Sequence, residues 1–536
     1  MTLRHNDRAS INASDLMFEL DWLKRWAMYS PHAKALTDGD SGESWTYEKL
    51  YQLSFSFAVF LQENFGIRTG DRLAVLSTNE LEYVALFFAT QRLGALLVPV
   101  NFRLTSSEIS HIVLDSGARL LVYENQFEAK AREIASGHDL SIIPLKADRA
   151  SLAQKGEEAL QQLRGQARDQ GQEINQFLFA LTDFQMASNP EALCMILYTS
   201  GTTGAPKGAM LSHRMLFWNS INTTLRLNIS QKDSAVIFLP LFHTGGWNVL
   251  LTPFLHRGAH VLLTRKFEAR QILELSEKHK CSLLFGVPTT MDMMSRSDVF
   301  SSVNLSNIRY AIVGGEPMPL ELIHTWQRKG IPVRQGFGLT EFGPNVFSLN
   351  EEDSIRKIGS IGFPNFYIDV RVIDAEGGDV GVDTVGELLL RGPMMMSGYW
   401  HNEKASNETI RDGWLYTGDL VKFDSEGFFF VVGRKKDMFI SGGENVYPAE
   451  VEKTLQSHPG VREVAVIGVP DDKWGESGQA FVVPEKEYES LSQTDLIDHC
   501  SKSLAKFKIP RHFVFVQDLP KGDSGKILKK NLRKPT

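Results

Sequence analysis

A glycine- and threonine-rich loop in the middle of the chain limits the fold and the chemistry more than any other feature. The loop, residues 198–208, follows an apolar segment, residues 193–197, that is typical of a buried strand. Small residues let consecutive backbone N–H groups approach a polyphosphate, and Lys207 adds a cation. Three hydroxyl side chains add further donors: Ser200, Thr202 and Thr203. Because the spacing is neither GxxxxGKS nor GxxxxGKT, the loop predicts a phosphate site that is not a P-loop.

Helix and strand signals alternate along the first part of the chain. Short apolar segments typical of buried strands alternate there with helical patterns: 73–76, 96–100 and 120–123. The most apolar stretch, 83–100, carries Gln91 and Arg92 in its middle, so we expect a buried helix and strand there rather than a membrane span. Short apolar strands separated by helices indicate a parallel sheet that is covered on both faces.

The pattern changes after about residue 370. Residues 370–432 are mostly β, with several Gly-Asp and Glu-Gly turns. A last unit begins near Asp437, and within it a helix is predicted to start at Pro448. An apolar strand is predicted over 464–469. These segments indicate a β-rich region followed by a small α+β unit.

Two domains of unequal size are therefore predicted within an α/β protein. The large N-terminal domain, residues 1–436, combines parallel and mixed sheets with covering helices and a small β-barrel-like part. It includes a polar stretch at about 146–190 that is typical of a solvated helical insertion. The small C-terminal domain, residues 437–536, carries ten Lys or Arg against two Asp from residue 501 onward. That excess indicates either a site for an anionic ligand or a solvated basic tail.

The composition excludes several classes of protein. The 536 residues include 57 basic and 64 acidic side chains, a net charge of −7, so a general nucleic-acid binder is not expected. The three cysteines stand far apart and form no CxxC pair, which argues against disulfides or a cysteine zinc site. The N-terminus has no apolar segment typical of a secretory signal, and we expect a cytoplasmic protein.

The 198–208 loop resembles the phosphate-binding signature of the adenylate-forming (ANL) enzymes. This superfamily includes acyl-CoA synthetases, peptide-synthetase adenylation domains and beetle luciferases. Other segments resemble further motifs of the family, in the family's order, from about residue 40 to the C-terminus: 240–246 (PLFHTGG), 314–317 (GGEP), 336–341 (GFGLTE), 416–419 (YTGD), 433–437 (GRKKD), 441–448 (SGGENVYP) and 520–526 (PKGDSGK). The chain is similar above all to the acyl-CoA synthetase or fatty-acid–CoA ligase branch.

The resemblance implies a ligase that works in two steps. A carboxylate attacks the α-phosphate of ATP, pyrophosphate leaves, and the acyl adenylate then passes its acyl group to the thiol of coenzyme A. Both reactants of the first step are anions, so the site must neutralise charge in the transition state. The implied catalytic residues are Lys526, Glu341, Thr340 and His243. Glu341 is also the implied ligand of Mg²⁺, which prefers hard oxygen donors.

The resemblance also implies which residues hold ATP and coenzyme A. These positions are Thr199, Ser200, Gly201, Thr202, Thr203, Gly204, Lys207, Gly315, Glu316, Gly336, Phe337, Gly338, Asp419, Arg434, Lys436, Gly442 and Gly443. The two carboxylate oxygens of Asp419 can accept both ribose hydroxyls. Lys526 is implied to act in the first step, where a compact ammonium can bridge the acid and the ribose-phosphate oxygens. A mobile C-terminal domain then rotates about Lys436, so that the 441–443 loop faces the adenylate.

The acid pocket is implied to contain six residues: His243, Trp247, Val287, Gly338, Gly343 and Pro344. Phe242-His243 stands where amino-acid-activating relatives carry Phe-Asp, so the substrate is expected to lack an α-ammonium. The 242–247 run has no cation apart from His243, and a second carboxylate would be buried unpaired. We therefore expect an apolar acid, a medium- or long-chain fatty acid in the first place, with an aromatic acid as the alternative.

Other functions remain open at this stage. A luciferase-like oxidase would share the adenylation step, because one fold supports several reactions. A non-enzymatic nucleotide-binding regulator would be expected to lack Glu341 or Lys526, and both are present. The expected partners are a small carboxylic acid and coenzyme A, without nucleic acid and without a membrane span. Peripheral membrane association and a homodimer both remain open.

Overall fold

The structure is a computed structural model of the chain. It describes residues 21–146, 189–199, 206–316, 318–488, 491–522 and 527–532. The polar stretch at about 146–190 therefore lies almost wholly outside the described residues. Within the described ranges, no helix is both long enough and apolar enough to cross a membrane.

The strands of the described residues are numbered in chain order. They are β1 Lys34–Asp38, β2 Ser44–Thr46, β3 Arg72–Leu76, β4 Leu96–Pro99, β5 Leu120–Tyr123, β6 Ser141–Pro144, β7 Leu193–Thr199, β8 Lys207–Ser212, β9 Ser234–Ile237, β10 His260–Leu263, β11 Leu283–Gly286, β12 Tyr310–Val313, β13 Val333–Phe337, β14 Phe347–Ser348, β15 Ser360–Pro364, β16 Asp369–Ile373, β17 Gly386–Arg391, β18 Ile410–Arg411, β19 Trp414–Phe423, β20 Phe429–Arg434, β21 Phe439–Ser441, β22 Glu444–Val446, β23 Val461–Asp471, β24 Gly475–Pro484 and β25 His512–Phe515.

The α-helices are numbered in the same way. They are α1 Trp22–Tyr29, α2 Tyr47–Phe65, α3 Leu81–Leu93, α4 Ser106–Ser116, α5 Glu128–Ala135, α6 His213–Arg226, α7 Thr252–His256, α8 Ala269–Lys278, α9 Pro288–Ser295, α10 Leu320–Arg328, α11 Glu403–Thr409, α12 Pro448–Gln456, α13 Gln493–Ser501 and α14 Lys529–Leu532. Short 3₁₀ turns cover Asn125–Phe127 and Thr340–Phe342, and a π-helix covers Gly245–Leu251.

Three sheets form the large N-terminal part. One has the order β6-β5-β3-β4-β7-β8 and is parallel except for the β7–β8 hairpin. A second has the order β2-β1-β10-β9. The third begins with the parallel strands β11, β12 and β13 and continues through antiparallel strands to β16. The α/β prediction is confirmed, and the β-rich region predicted over 370–432 is the antiparallel continuation of this mixed sheet.

Helix α3 shows why the apolar stretch at 83–100 belongs to the core. All its residues are buried, and β4 follows it as a fully buried strand. The helix tolerates Arg92 because the guanidinium of that residue forms an ion pair with Asp21, which is also buried. A buried charge is acceptable when it is paired in this way. The prediction of a buried helix followed by a strand is confirmed.

The last part of the chain has its own sheet and core. Strands β21 to β24 pair in the order β22-β21-β24-β23, and β25 lies parallel to β24. Helix α12 begins at Pro448, as predicted, and its residues Val451 and Leu455 are buried against β23. The predicted boundary between residues 436 and 437 falls in the turn that joins β20 to β21. The boundary itself stays a prediction.

Part of the basic excess at the C-terminus is neutralised within this unit. Among the described residues, three lysines form ion pairs with glutamates of the same unit at 2.6 to 2.8 Å: Lys508 with Glu450, Lys521 with Glu463 and Lys529 with Glu452. These pairs tie the C-terminal segment to α12 and β23. They account for these lysines without an anionic ligand.

Candidate active site

The predicted phosphate loop is the connection of a β-hairpin. Thr199, the last residue of β7, pairs with Lys207, the first residue of β8, and the Thr199 hydroxyl donates to the Lys207 carbonyl at 3.4 Å. The base of the loop is therefore fixed by two strands of the main sheet. Five of the predicted phosphate-binding residues lie outside the described residues: Ser200, Gly201, Thr202, Thr203 and Gly204.

Glu341 lies in the 3₁₀ turn Thr340–Phe342, shortly after β13. The hydroxyl of Tyr399 donates to Oε1 of Glu341 at 2.8 Å. Nζ of Lys207 lies 5.3 Å from the centre of the same tyrosine ring, which is within the range of a cation–π contact. Burial first, and then the charge and hydrogen bond of Glu341, raise the pKa of Tyr399 well above its usual range. Tyr399 therefore stays protonated, and its hydroxyl acts as a hydrogen-bond donor at any physiological pH.

The parallel strands β11, β12 and β13 bring five predicted site residues to one edge of their sheet. The register aligns Gly286 of β11 with Val313 of β12, and Val313 with Gln335 of β13. The residues that follow these three positions therefore line the carboxyl edge: Val287, Gly314-Gly315-Glu316, and Gly336-Phe337. Ligands of α/β proteins commonly bind at this edge. The arrangement brings four of the predicted ATP- or coenzyme A-binding residues close to Val287, a predicted residue of the acid pocket.

Close contacts and, at one position, a positive φ favour glycine at two positions beyond β13. A Cβ on Gly338 would lie 1.9 Å from the carbonyl oxygen of Pro344. A Cβ on Gly343, whose φ is +69°, would lie 2.9 Å from Oδ1 of Asn219 in α6. The ring of Phe337 is half-buried and meets Phe347 edge to face at 6.0 Å. The turn carrying Gly343 and Pro344 therefore packs tightly between β13 and α6.

His243 lies in a turn that leads into the π-helix Gly245–Leu251. Its carbonyl accepts from the N–H groups of Gly246 and Trp247, at 3.0 and 3.3 Å. Asn79 fixes the segment before it, because its amide donates to the Leu239 carbonyl and accepts from the Leu241 N–H, both at 3.0 Å. His243 itself is only partly buried. The structure thus presents this histidine on a rigid support.

Trp247 is completely buried in the hydrophobic core. Its ring lies 5.4 Å from Tyr83 and 4.8 Å from Phe87, both in α3. The family resemblance implies that this residue belongs to the acid pocket. The structure places the Trp247 side chain among aromatic core residues, where it is fully buried.

Asp419 and Arg434 face each other on neighbouring strands. They are directly paired in the β19–β20 ladder, and Nε of Arg434 lies 2.6 Å from Oδ1 of Asp419. The Asp419 side chain is 4% exposed and that of Arg434 46%. The charge of Arg434 also acts on Tyr399, where it lowers the pKa against the larger effect of burial. The pair predicted to hold the ribose therefore lies near Glu341 and its tyrosine.

The remaining predicted residues lie in two turns and one segment outside the described residues. Lys436 is exposed in the turn after β20. Gly442 and Gly443 join β21 to β22 with φ values of +63° and +87°, and the Gly442 N–H donates to the Trp474 carbonyl at 2.8 Å. A Cβ on Gly442 would lie 2.5 Å from the Trp474 ring, so the turn requires glycine there. Lys526 lies outside the described residues.

Comparison with known families covers most of the chain. The family model described as AMP-binding enzyme matches residues 23–400, and the model described as AMP-binding enzyme C-terminal domain matches residues 450–526.

The chain belongs to the AMP-binding enzyme family.

Relatives place this AMP-binding enzyme in the acyl-CoA synthetase branch of the adenylate-forming superfamily, so it is an acid–thiol ligase, as predicted. It is 36% identical to a feruloyl-CoA synthase of Amycolatopsis sp over 96% of this chain and 98% of that protein. It is 32% identical to the long-chain-fatty-acid–CoA ligase FadD13 of Mycobacterium tuberculosis, with 96% and 98% coverage. The solved structure of o-succinylbenzoate CoA synthetase (MenE) from Bacillus subtilis, with its acyl-adenylate intermediate, superposes with a TM-score of 0.82 at 31% identity, covering 96% and 98%.

The structure of this AMP-binding enzyme also reveals site residues that the motifs do not include. Tyr399 joins Lys207 to Glu341, Asn79 supports the His243 turn, and Asn219 packs against Gly343. The only sequence signal for Tyr399 is its place between a glycine and a tryptophan, which is equally typical of core packing.

Proposed function

We propose that this acyl-CoA synthetase activates an aromatic carboxylic acid with ATP and transfers the acyl group to coenzyme A. An oxygen of the acid attacks the α-phosphorus, the bond to the β-phosphate breaks, and pyrophosphate leaves. The coenzyme A sulfur then attacks the acyl carbon, and AMP leaves. The proposal depends on one observation: Tyr399 contacts both Lys207, at the base of the phosphate loop, and Glu341.

The donor groups around Glu341 suit a magnesium ion that arrives with ATP. Among the described residues there is no group of three or more His, Cys, Asp or Glu side chains that could hold a metal ion. Mg²⁺ bound with nucleotide needs only one or two protein carboxylates, because phosphate oxygens and water complete its shell. Glu341 offers the oxygen that is not held by Tyr399. When bound, the ion would supply positive charge to the phosphates that separate.

The Asp419–Arg434 pair suits the ribose. A carboxylate that is buried and already held by a cation keeps its orientation and can still accept hydroxyl hydrogens. The Arg434 guanidinium is half-exposed, so it is also accessible to a phosphate oxygen. The MenE of Bacillus subtilis has also been solved with ATP and a magnesium ion, which supports both co-substrate and metal here.

The acid itself is the finer part of the proposal. The relative with 36% identity acts on an aromatic acid by its name, and MenE binds an aromatic acyl adenylate, whereas the fatty-acid ligase is 32% identical. The aromatic acid, the alternative from the sequence, is therefore favoured over a fatty acid. One cation lies close to the predicted pocket: the Arg103 guanidinium is 5.8 Å from the Phe242 ring. A diacid therefore belongs in the test.

The second step rests on the C-terminal unit. In the proposal, Lys526 acts in adenylation, and the turn at Gly442 and Gly443 guides the thiol. Between the two steps the C-terminal unit rotates about Lys436. What supports it is that Lys436 lies in an exposed turn between two separate sheets. Homodimer formation and a cytoplasmic location stay predictions.

A competition between acids tests the proposal. Purified enzyme receives ATP, Mg²⁺, coenzyme A and an equimolar mixture of ferulate, octanoate, palmitate, 2-succinylbenzoate and acetate, and mass spectrometry measures each acyl-CoA. We expect feruloyl-CoA to dominate. Preference for palmitate or octanoate would reject the aromatic acid but leave the ligase intact. Failure of every acid to support exchange of labelled pyrophosphate into ATP would reject the ligase, and light emission with a luciferin would favour an oxidase.

A further inference from the structure

A short segment, residues 396–400, connects the phosphate-loop hairpin to the turn that carries Glu341. On one side its backbone pairs with β8: Met210 N–H donates to Gly398 O at 2.9 Å, and Trp400 N–H donates to Gly208 O at 2.8 Å. On the other side, the Met396 N–H donates to the Glu341 carbonyl at 2.9 Å. Main-chain hydrogen bonds of this segment therefore link the β7–β8 hairpin to the turn that carries Glu341.

Tyr399 is the residue of this segment whose side chain contacts both predicted charges. Its own N–H donates to the Ser406 hydroxyl at 2.8 Å, which fixes the backbone from which the ring projects. The ring face receives Lys207, and the hydroxyl binds Oε1 of Glu341. With one carboxylate oxygen held, the direction of the other is determined, and Mg²⁺ tolerates little deviation from octahedral geometry.

We propose that Tyr399 is a positioning residue, which sets the Glu341 carboxylate and the Lys207 ammonium at a fixed separation for the metal–nucleotide complex. This inference rests on the proposed function, in which Glu341 binds the ion that accompanies ATP. The hydroxyl orients the Glu341 carboxylate, and the ring positions the Lys207 ammonium. The two contributions can therefore be removed separately.

The alternative is that Tyr399 only fills the core. The residue is buried and belongs to the main hydrophobic cluster of the N-terminal part, so its removal would lower stability in any case. A packing role predicts a change in stability with no change in metal affinity. Tyr47 offers a matched control, because it lies in the same cluster and its hydroxyl donates to the Ala259 carbonyl at 2.7 Å, away from the site.

The experiment compares Tyr399→Phe, Tyr399→Leu and Tyr47→Phe with the wild type. Binding of ATP is measured by calorimetry with excess EDTA and over a series of Mg²⁺ concentrations, and the melting temperature is measured in parallel. We expect Tyr399→Phe to raise the Mg²⁺ concentration for half-saturation by about tenfold, as loss of a hydrogen bond to a metal ligand commonly does. ATP binding in EDTA should stay unchanged in this variant, because the ring still faces Lys207.

The other variants separate the two contributions. Tyr399→Leu should weaken ATP binding in EDTA as well, and Tyr47→Phe should change only the melting temperature. In a Glu341→Gln background, Tyr399→Phe should cause no further change in the Mg²⁺ concentration for half-saturation. Wild-type half-saturation in Tyr399→Phe would overturn the positioning role. If the wild type itself showed neither Mg²⁺-dependent ATP binding nor pyrophosphate exchange, the proposed function would fail instead, so the two failures are distinguishable.

Discussion

The two carboxylates of the candidate site, Glu341 and Asp419, are held in opposite ways. Asp419 lies in the regular β19–β20 ladder, almost fully buried, and its charge is met directly by Arg434 at 2.6 Å. Glu341 lies in a short 3₁₀ turn, half-buried, and accepts a hydrogen bond from the neutral hydroxyl of Tyr399. None of the ion pairs among the described residues involves Glu341, and Nζ of Lys207 lies 5.3 Å from the centre of the same tyrosine ring.

This difference indicates a difference in task. A carboxylate that is already paired with a guanidinium attracts a further cation weakly, but it remains a good acceptor for neutral hydroxyls. A carboxylate that is oriented by a neutral donor keeps its full charge for a cation. The pairing therefore suits Asp419 to a sugar and Glu341 to a metal ion. Substitutions that remove one charge at a time test this division.

Glu341→Gln should have the largest effect. The amide keeps the size of the side chain but removes the charge that attracts Mg²⁺, so we expect the kcat/KM of pyrophosphate exchange to fall by about 100- to 1,000-fold. Glu341→Asp keeps the charge and shortens the side chain. Its pyrophosphate exchange should fall less and should be partly restored at high Mg²⁺. Thioester formation from supplied acyl adenylate is the control and should change little. Exchange close to the wild-type rate would remove Glu341 from the chemistry.

Asp419→Asn should have a smaller effect of a different kind. The amide has one acceptor oxygen instead of two and no charge to pair with Arg434, so the KM for ATP should rise by about 10- to 100-fold, the equivalent of one charged hydrogen bond. The Mg²⁺ concentration for half-saturation should remain that of the wild type. Initial rates over a matrix of ATP and Mg²⁺ concentrations separate the two constants. If Asp419→Asn raised the Mg²⁺ concentration for half-saturation as much as Glu341→Gln does, the division of tasks would be contradicted.

The sequence predicts those parts of this enzyme that depend on local order. Thr46 caps α2, its hydroxyl accepting the Lys49 N–H at 3.1 Å, as a threonine before an apolar helical pattern predicts. The buried helix α3, the strand after it and the start of α12 at Pro448 also follow from residue type and period. Among the site residues, Thr199 and Lys207 could be placed together, because both lie at the ends of one loop.

Contacts between distant segments could not be predicted in this way. Tyr399 reaches Glu341 only because residues 396–400 pair with β8, and no local pattern specifies that pairing. Trp247 has the same limitation: its neighbours in the sequence suggest a pocket, while its burial is decided by aromatic residues of α3. Local signals determine which residues form an element, but the partners of a side chain depend on tertiary packing.

Activity at acidic pH can be measured only where the protein stays folded, and His256 sets part of that limit. Burial, with a smaller contribution from Arg257, lowers the pKa of His256 to about 3, and its Nδ1 lies 2.7 Å from the Ser220 hydroxyl. The folded state therefore binds fewer protons than the unfolded chain, whose histidine pKa is about 6.5. The contribution of neutral His256 to the free energy of unfolding is fully present above pH 6.5 and is lost as the pH falls towards 3. By linkage the loss is about 2 kcal/mol at pH 5.

His256→Gln should remove that part of the acid sensitivity. The variant loses the stacking of His256 on Trp22, at 4.0 Å, so it should be less stable than the wild type at pH 7.5. Its stability should nevertheless fall by about 2 kcal/mol less between pH 7.5 and pH 5, as measured by urea unfolding. His32→Gln, at a side chain that is 87% exposed, is the control and should keep the wild-type dependence. An unchanged pH dependence in His256→Gln would mean that another group governs the loss of stability in acid.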